Sequence, residues 1–188
     1  MYFDIKTPEK QEQAARAYRQ YLLTELNAAI RMDKLLNCHE RQQAGEAVDA
    51  ISRIRHSLYQ KAEQMGYAAA CAKSIPDCRG ECCKWHFPAN LDCIDLFICI
   101  FPLSPEKHKA LQERLSLDDN RYQCPFLNPD GCIFSFDSRP LVCAIAWPCF
   151  MSDSYHAFME KELKKIKEYY RILKDLSQIF QEPAVSGT

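Results

Sequence analysis

Residues 152–181 read SDSYHAFMEK ELKKIKEYYR ILKDLSQIFQ. Tyr155, Phe158, Met159, Ile166, Tyr170, Leu173, Leu176 and Phe180 recur every three or four residues between charges. That spacing puts them on one face of a long amphipathic helix from Ser152 to Gln181, which Pro183 stops. Two more stretches carry the same period. Thr7-Pro8-Glu9-Lys10 is a helix start, with threonine as cap and proline in the first turn. Ala14, Tyr18, Leu22, Leu26, Ala29, Ile30 and Leu36 follow it. A second helix is expected from about Gly45, with Val48, Ile51, Ile54, Leu58, Ala62 and Met65 as its stripe and the charged residues between them facing water. The two are expected to pair as an antiparallel hairpin joined around Cys38–Gly45.

The middle of the chain reads differently. Ile75–Asn90 is loop-like, rich in proline and cysteine. Ser104-Pro105-Glu106-Lys107 opens a short helix through Leu111 and Leu115, which Asp118-Asp119-Asn120 ends. Asn128-Pro129-Asp130-Gly131 predicts a small turn or hairpin, and Pro140 a short helix carrying Cys143. The expected fold is mostly α, with helices around an irregular cysteine-rich metal-binding centre and a small β-hairpin. By stretch, residues 1–70 form a helical hairpin, 71–150 the cysteine-cluster domain, and 151–188 a helix packing on the same core.

Composition bounds the function. The 188 residues are 47% hydrophobic and 26% charged, enough for one compact core. The formal net charge of −1 and the lack of a basic arm argue against nucleic acid. The five glycines, at 45, 66, 80, 131 and 187, are too far apart for a dinucleotide fingerprint or a P-loop. The longest uncharged apolar runs are too short to span a bilayer. The polar N-terminus shows no secretory signal, so a cytoplasmic location is expected.

Cysteine is the outlier. Ten of eleven lie between Cys71 and Cys149. In a reducing compartment such density points to a metal site rather than disulfides. Cys78-Arg79-Gly80-Glu81-Cys82-Cys83 is one cluster, in which glycine lets the loop fold its thiolates toward one centre. Cys124, Cys132 and Cys143 form the second, followed by Cys149. Zinc prefers two C-x2-4-C pairs, and no matching second pair is present; an iron–sulfur cluster tolerates irregular spacing and apolar walls. An iron–sulfur cluster is therefore favoured, with zinc the alternative.

Other residues have plainer readings. Cys93 and Cys99 sit in an apolar run and belong to the core. Cys38 is isolated. Cys71 and His86 are secondary ligand candidates; a lone histidine is more often a surface or supporting group. Asp92 and Asp95 are helix-start charges, and the S-x-x-K match at Ser104–Lys107 is explained by helix capping.

The pattern Cys78…Cys82-Cys83, Cys124-Pro125-Phe126-Leu127, Gly131-Cys132-Ile133 and Arg139-Pro140-Leu141-Val142-Cys143 resembles the YkgJ-like cysteine-cluster family, described as a zinc- or iron-chelating domain. The resemblance covers residues 71–150. It implies Cys78, Cys82, Cys83, Cys124, Cys132 and Cys143 as ligands, with Cys149 beside them. The family usually shows C-x2-C-x2-C-C where this chain has C-x3-C-C, and an arginine where this chain has Ala144. A flagellin lysine methylase sharing the motif is described as using an iron–sulfur centre with S-adenosylmethionine. Motif kinship does not fix activity, so three functions stay open. One is a metal-binding protein with a structural, redox or metal-handling role. Another is a cluster-dependent enzyme such as a methylase. The third is a zinc-stapled module that binds another protein through its helical arms.

Overall fold

The structure, a computed structural model, describes residues 7–67, 69–70, 90–119, 121, 123–128, 131–144 and 152–178. Helix α1 spans Pro8–Leu35. Thr7 caps it by accepting the Lys10 N–H, and Pro8 supplies a residue with no N–H where none is needed. Helix α2 spans Cys38–Gln64. Its start differs from the expectation: the connection is Leu36-Asn37, not Cys38–Gly45. The Asn37 side chain accepts the Glu40 N–H at 2.9 Å, and the Glu40 carboxylate accepts the Asn37 N–H at 2.9 Å. This reciprocal cap satisfies two otherwise orphaned donors, so the helix begins seven residues before its glycine. Gly45 lies within the helix, where an added Cβ would stand 3.6 Å from the Phe101 ring. The glycine that does end α2 is Gly66, with φ of +76°.

Helix α3 spans Cys93–Ile100. Asp92 and Asp95 cap each other's backbone N–H groups, as expected of helix-start charges. Leu96, Phe97, Ile98, Cys99 and Ile100 are all buried. A helix wrapped on every side has no polar face, so the apolar run carried no helical period to read. Helix α4 spans Pro105–Ser116 after Ser104. The strands β1 (Leu127–Asn128) and β2 (Gly131–Cys132) pair antiparallel, Leu127 opposite Cys132, as the turn signal predicts. A 3-10 turn at Phe136–Ser138 and the short helix α5 (Leu141–Ala144, carrying Cys143) lead on to α6, Asp153–Gln178.

The architecture is mostly helical. Helix α1 packs on α3 and α4, while α2 packs on α6, the 3-10 turn and α5. Polar ties lock these pairs. Tyr21 donates to the Leu91 carbonyl at 2.9 Å, Gln112 donates to Asn27 at 2.6 Å, and Tyr170 donates to Asp95 at 2.8 Å. The His108 ring nitrogen bonds the Ile100 carbonyl at 2.9 Å, closing the α3–α4 corner. One contiguous hydrophobic cluster draws on α1, α2, α3, α4, α6, Phe126 and Phe134. The α6 stripe is spent in it: Tyr155, Met159, Ile166, Leu173 and Leu176 are buried, while Phe180 lies outside the described residues. No described helix is long and apolar enough to cross a membrane.

Charge does not always face water. Arg55 on α2 and Arg19 on α1 are buried at 0% and 6% exposure, against the expectation that the charges of α2 are solvated. Arg55 stands four residues after Ile51 and three before Leu58, on the apolar face itself.

Candidate metal centre

Three of the seven predicted ligands lie in the described part: Cys124, Cys132 and Cys143. Cys78, Cys82, Cys83 and Cys149 lie outside the described residues, as do Cys71 and His86. Each of the three is placed by a different device. Cys124 precedes β1 in a turn whose Cys124 carbonyl accepts the Leu127 N–H at 3.1 Å. The Arg114 guanidinium fastens this turn to α4 by donating to the Pro125 carbonyl and, at 3.0 Å, to the Leu127 carbonyl. Cys132 sits on β2, and the Ile133 N–H returns to the Phe126 carbonyl at 2.9 Å. Phe126 and Phe134 meet edge to face, centroids 5.1 Å apart, and are buried in the hydrophobic cluster. Cys143 is carried in by α5, its N–H bonded to the Pro140 carbonyl at 2.9 Å.

Each thiol stands within the electrostatic field of the others. Burial raises the Cys124 thiol to about 11, with the Cys132 charge adding to the rise and an N–H of Phe126 opposing it. Burial raises Cys143 to about 12, and the charges of Cys124 and Cys132 push the same way. Cys99, wholly buried on α3, is pushed up by burial first and also feels Cys143 and Cys132. Thiols on the turn before β1, on β2, on α5 and on α3 therefore act electrostatically on one another. Among the described residues no group of three His, Cys, Asp or Glu is gathered tightly enough to hold a single metal ion.

Cationic side chains act on these thiols, alongside the Asp95 carboxylate, which raises Cys143 and Cys99. Arg114 and Arg19 lower the Cys124 thiol, Arg139 lowers Cys143, and Arg55 lowers Cys99. Arg139 is itself held by the Phe134 carbonyl at 3.2 Å and lies over the Phe136 ring. Arg139 belongs to the quoted motif; Arg19, Arg55 and Arg114 were missed. For Arg55 a signal existed, because a charge at a buried helical register is a departure from the stripe.

The remaining cysteines divide as their surroundings dictate. Cys99 is core, as expected. Cys93 is half-buried at the α3 start, its thiol raised by burial to about 11, and Cys38 is exposed at the α2 start. The Ser104–Lys107 match is a helix entry, with Lys107 and His108 N–H groups bonded to the Ser104 carbonyl.

No family model, no curated protein and no solved structure matches the chain.

Proposed function

We propose that this chain is a cytoplasmic metal-binding protein whose clustered cysteines hold an iron–sulfur cluster, with zinc as the second candidate. The observation that carries the reading is that the half-buried Cys124, Cys132 and Cys143, on the turn before β1, on β2 and on α5, act electrostatically on one another, with arginines acting on them as well. Bare thiols raised to about 11 and about 12 are protonated at neutral pH, so they are poor nucleophiles. A metal supplies the positive charge that turns such thiols into thiolates. The soft donor set suits iron–sulfur or zinc rather than an oxygen-loving cation.

The likeness to the YkgJ-like pattern adds support, because its most specific stretch, from Cys124 through Cys143, is the stretch that forms the hairpin, the 3-10 turn and α5. On that likeness the ligand set is completed from Cys78, Cys82, Cys83 and Cys149. A bound cluster would supply electron transfer; the chain's own residues supply the buried pair of Phe126 and Phe134, the clamp of Arg114 and the anchoring of Cys143 on α5.

The test is purification without oxygen, followed by measurement of iron, zinc and acid-labile sulfide per chain. Roughly four irons and four sulfides with a broad visible band are expected. Cys124→Ala and Cys143→Ala should each lose the metal. A chain that is metal-free as purified under reducing conditions, yet folded, overturns the reading.

A further inference from the structure

Arg55 is a fully buried guanidinium. Its Nη1 donates to the Asp137 carbonyl at 3.2 Å, while its Nε and Nη2 are buried with no hydrogen-bond partner. An arginine cannot escape this by losing its proton, and buried N–H groups without partners are rare in folded chains. Arg19 shows how the same fold treats its other buried arginine. There the Nη2 meets the Asp119 carboxylate at 2.7 Å and Nη1 donates to the Arg114 carbonyl at 3.0 Å, leaving Nε alone without a partner. No carboxylate stands in contact with Arg55 among the described residues. Asp95 lies within its field, yet the Asp95 oxygens accept from the Tyr170 hydroxyl and the Asp92 N–H.

The Asp137 carbonyl that Arg55 holds belongs to the 3-10 turn between β2, which carries Cys132, and α5, which carries Cys143. The charge of Arg55 acts on Cys99, and Cys99 in turn shares its field with Cys132 and Cys143. The residue sits on α2, the helix that packs against the 3-10 turn and against α5, which carries Cys143. A divalent ion held by four thiolates is a net anion, as is a cluster held by four thiolates. Such a centre buried in an apolar core calls for a cation that holds its charge at every pH and has N–H groups to spare.

We infer that Arg55 is the buried countercharge of the metal centre, the guanidinium whose spare donors are kept for an anionic thiolate-bound group. The inference rests on the metal-binding reading above. Arg55 is a positioning residue: it sets how well the core tolerates the centre's negative charge, and it is not one of the ligands.

The experiment compares wild type, Arg55→Lys and Arg55→Met, all purified without oxygen, for metal content and for reduction potential, or for zinc retention against a chelator if zinc is the metal. Arg55→Met should make the centre at least tenfold harder to reduce, about 59 mV more negative for a one-electron couple, or hold zinc tenfold less tightly. Arg55→Lys should restore most of that change, which a purely structural role does not demand. If Arg55→Met does not fold, wild type labelled with 15N-arginine carries the test. A magnetic coupling from an arginine nitrogen to the reduced cluster, or to cobalt placed in the zinc site, is then expected in wild type and absent from equally labelled Arg55→Lys, which separates Arg55 from Arg19, Arg114 and Arg139. A loaded wild type whose variants keep the same potential or affinity, or whose label shows no coupling, overturns the role of Arg55 and leaves the metal reading standing. A wild type without metal overturns both.

Discussion

Replacing Asp119 by Asn should unfasten the segment that leads into Cys124. Asp119 follows α4 and meets the buried Arg19 guanidinium of α1 at 2.7 Å, while the more exposed Arg121 grips the same carboxylate at 2.7 Å. Its pKa is drawn down to about 2 from the ordinary 3.8, by the Arg121 hydrogen bond first, against the cost of burial, with the Arg121 N–H and the Arg19 charge adding. The shift corresponds to about 2.4 kcal/mol at 1.36 kcal/mol per unit. Partial exposure and screening reduce the expected effect to about 1–2 kcal/mol. A group with a depressed folded-state pKa contributes fully above its unfolded value and loses that contribution as pH falls through its folded value. The difference in urea unfolding free energy between wild type and Asp119→Asn should therefore be full at pH 7. It should shrink from below about pH 5 and be mostly gone near pH 2, where the protonated acid resembles the amide. Other carboxylates titrate equally in both proteins and cancel. Adding Arg19→Met should recover part of the loss, because no buried charge is then left unpaired. A gap that stays constant from pH 7 to pH 2, or a double variant that simply sums both losses, would refute the pairing argument.

Phe97→Ala on α3 should cost about 3–5 kcal/mol in urea unfolding, since the ring is wholly buried at the centre of the helical pack; a loss under about 1 kcal/mol would mean α3 is not core. Gly45→Ala should raise stability by about 0.5–1 kcal/mol, because the new methyl meets the Phe101 ring at an ordinary 3.6 Å and the helix gains propensity; a clear loss would contradict the space seen there. Asn37→Ala should cost about 1 kcal/mol by removing the α2 cap, read as a lower thermal midpoint with unchanged helical content. Cys38→Ser should leave the metal per chain unchanged where Cys143→Ser abolishes it, since the former thiol is exposed at the start of α2 and the latter is half-buried and feels the charges of Cys124 and Cys132.

The long helices were legible because each has one wet face. Tyr155 to Leu176 on α6 and Tyr18 to Ile30 on α1 alternate with charge at the helical period, and burial follows that period. Two features escaped for opposite reasons. The start of α2 was written in Asn37-Cys38-His39-Glu40, a reciprocal cap, but a glycine eight residues on gave a louder false boundary. Helix α3 had its own cap in Asp92 and Asp95, yet an apolar run buried all round offers no period to detect, and eight residues suit a strand as well as a helix. The paired Asn-Pro-Asp-Gly signal did specify β1 and β2, because turn chemistry is local and needs no partner from elsewhere in the chain.

The candidate site was legible only as a list of sulfurs. Spacing along the chain shows which thiols are near one another in sequence, but Cys99 on α3, some 25 residues before Cys124, also feels the charges of Cys132 and Cys143. The charges around the sulfurs are harder still to read. Arg19, Arg55 and Arg114 come from α1, α2 and α4, and each occupies a position that a stripe rule hands to solvent or to packing. A buried arginine is costly unless something negative repays it. Asp119 does so for Arg19, and two carbonyls beside Cys124 satisfy Arg114. Arg55 has one carbonyl, that of Asp137, while its Nε and Nη2 have no partner, and its charge acts on the wholly buried Cys99 thiol. A residue that breaks the local rule without a visible compensation marks where the fold serves something other than its own stability. On the proposed metal-binding reading, the departure of Arg55 from the stripe and the density of cysteine answer one requirement: negative charge held inside the core.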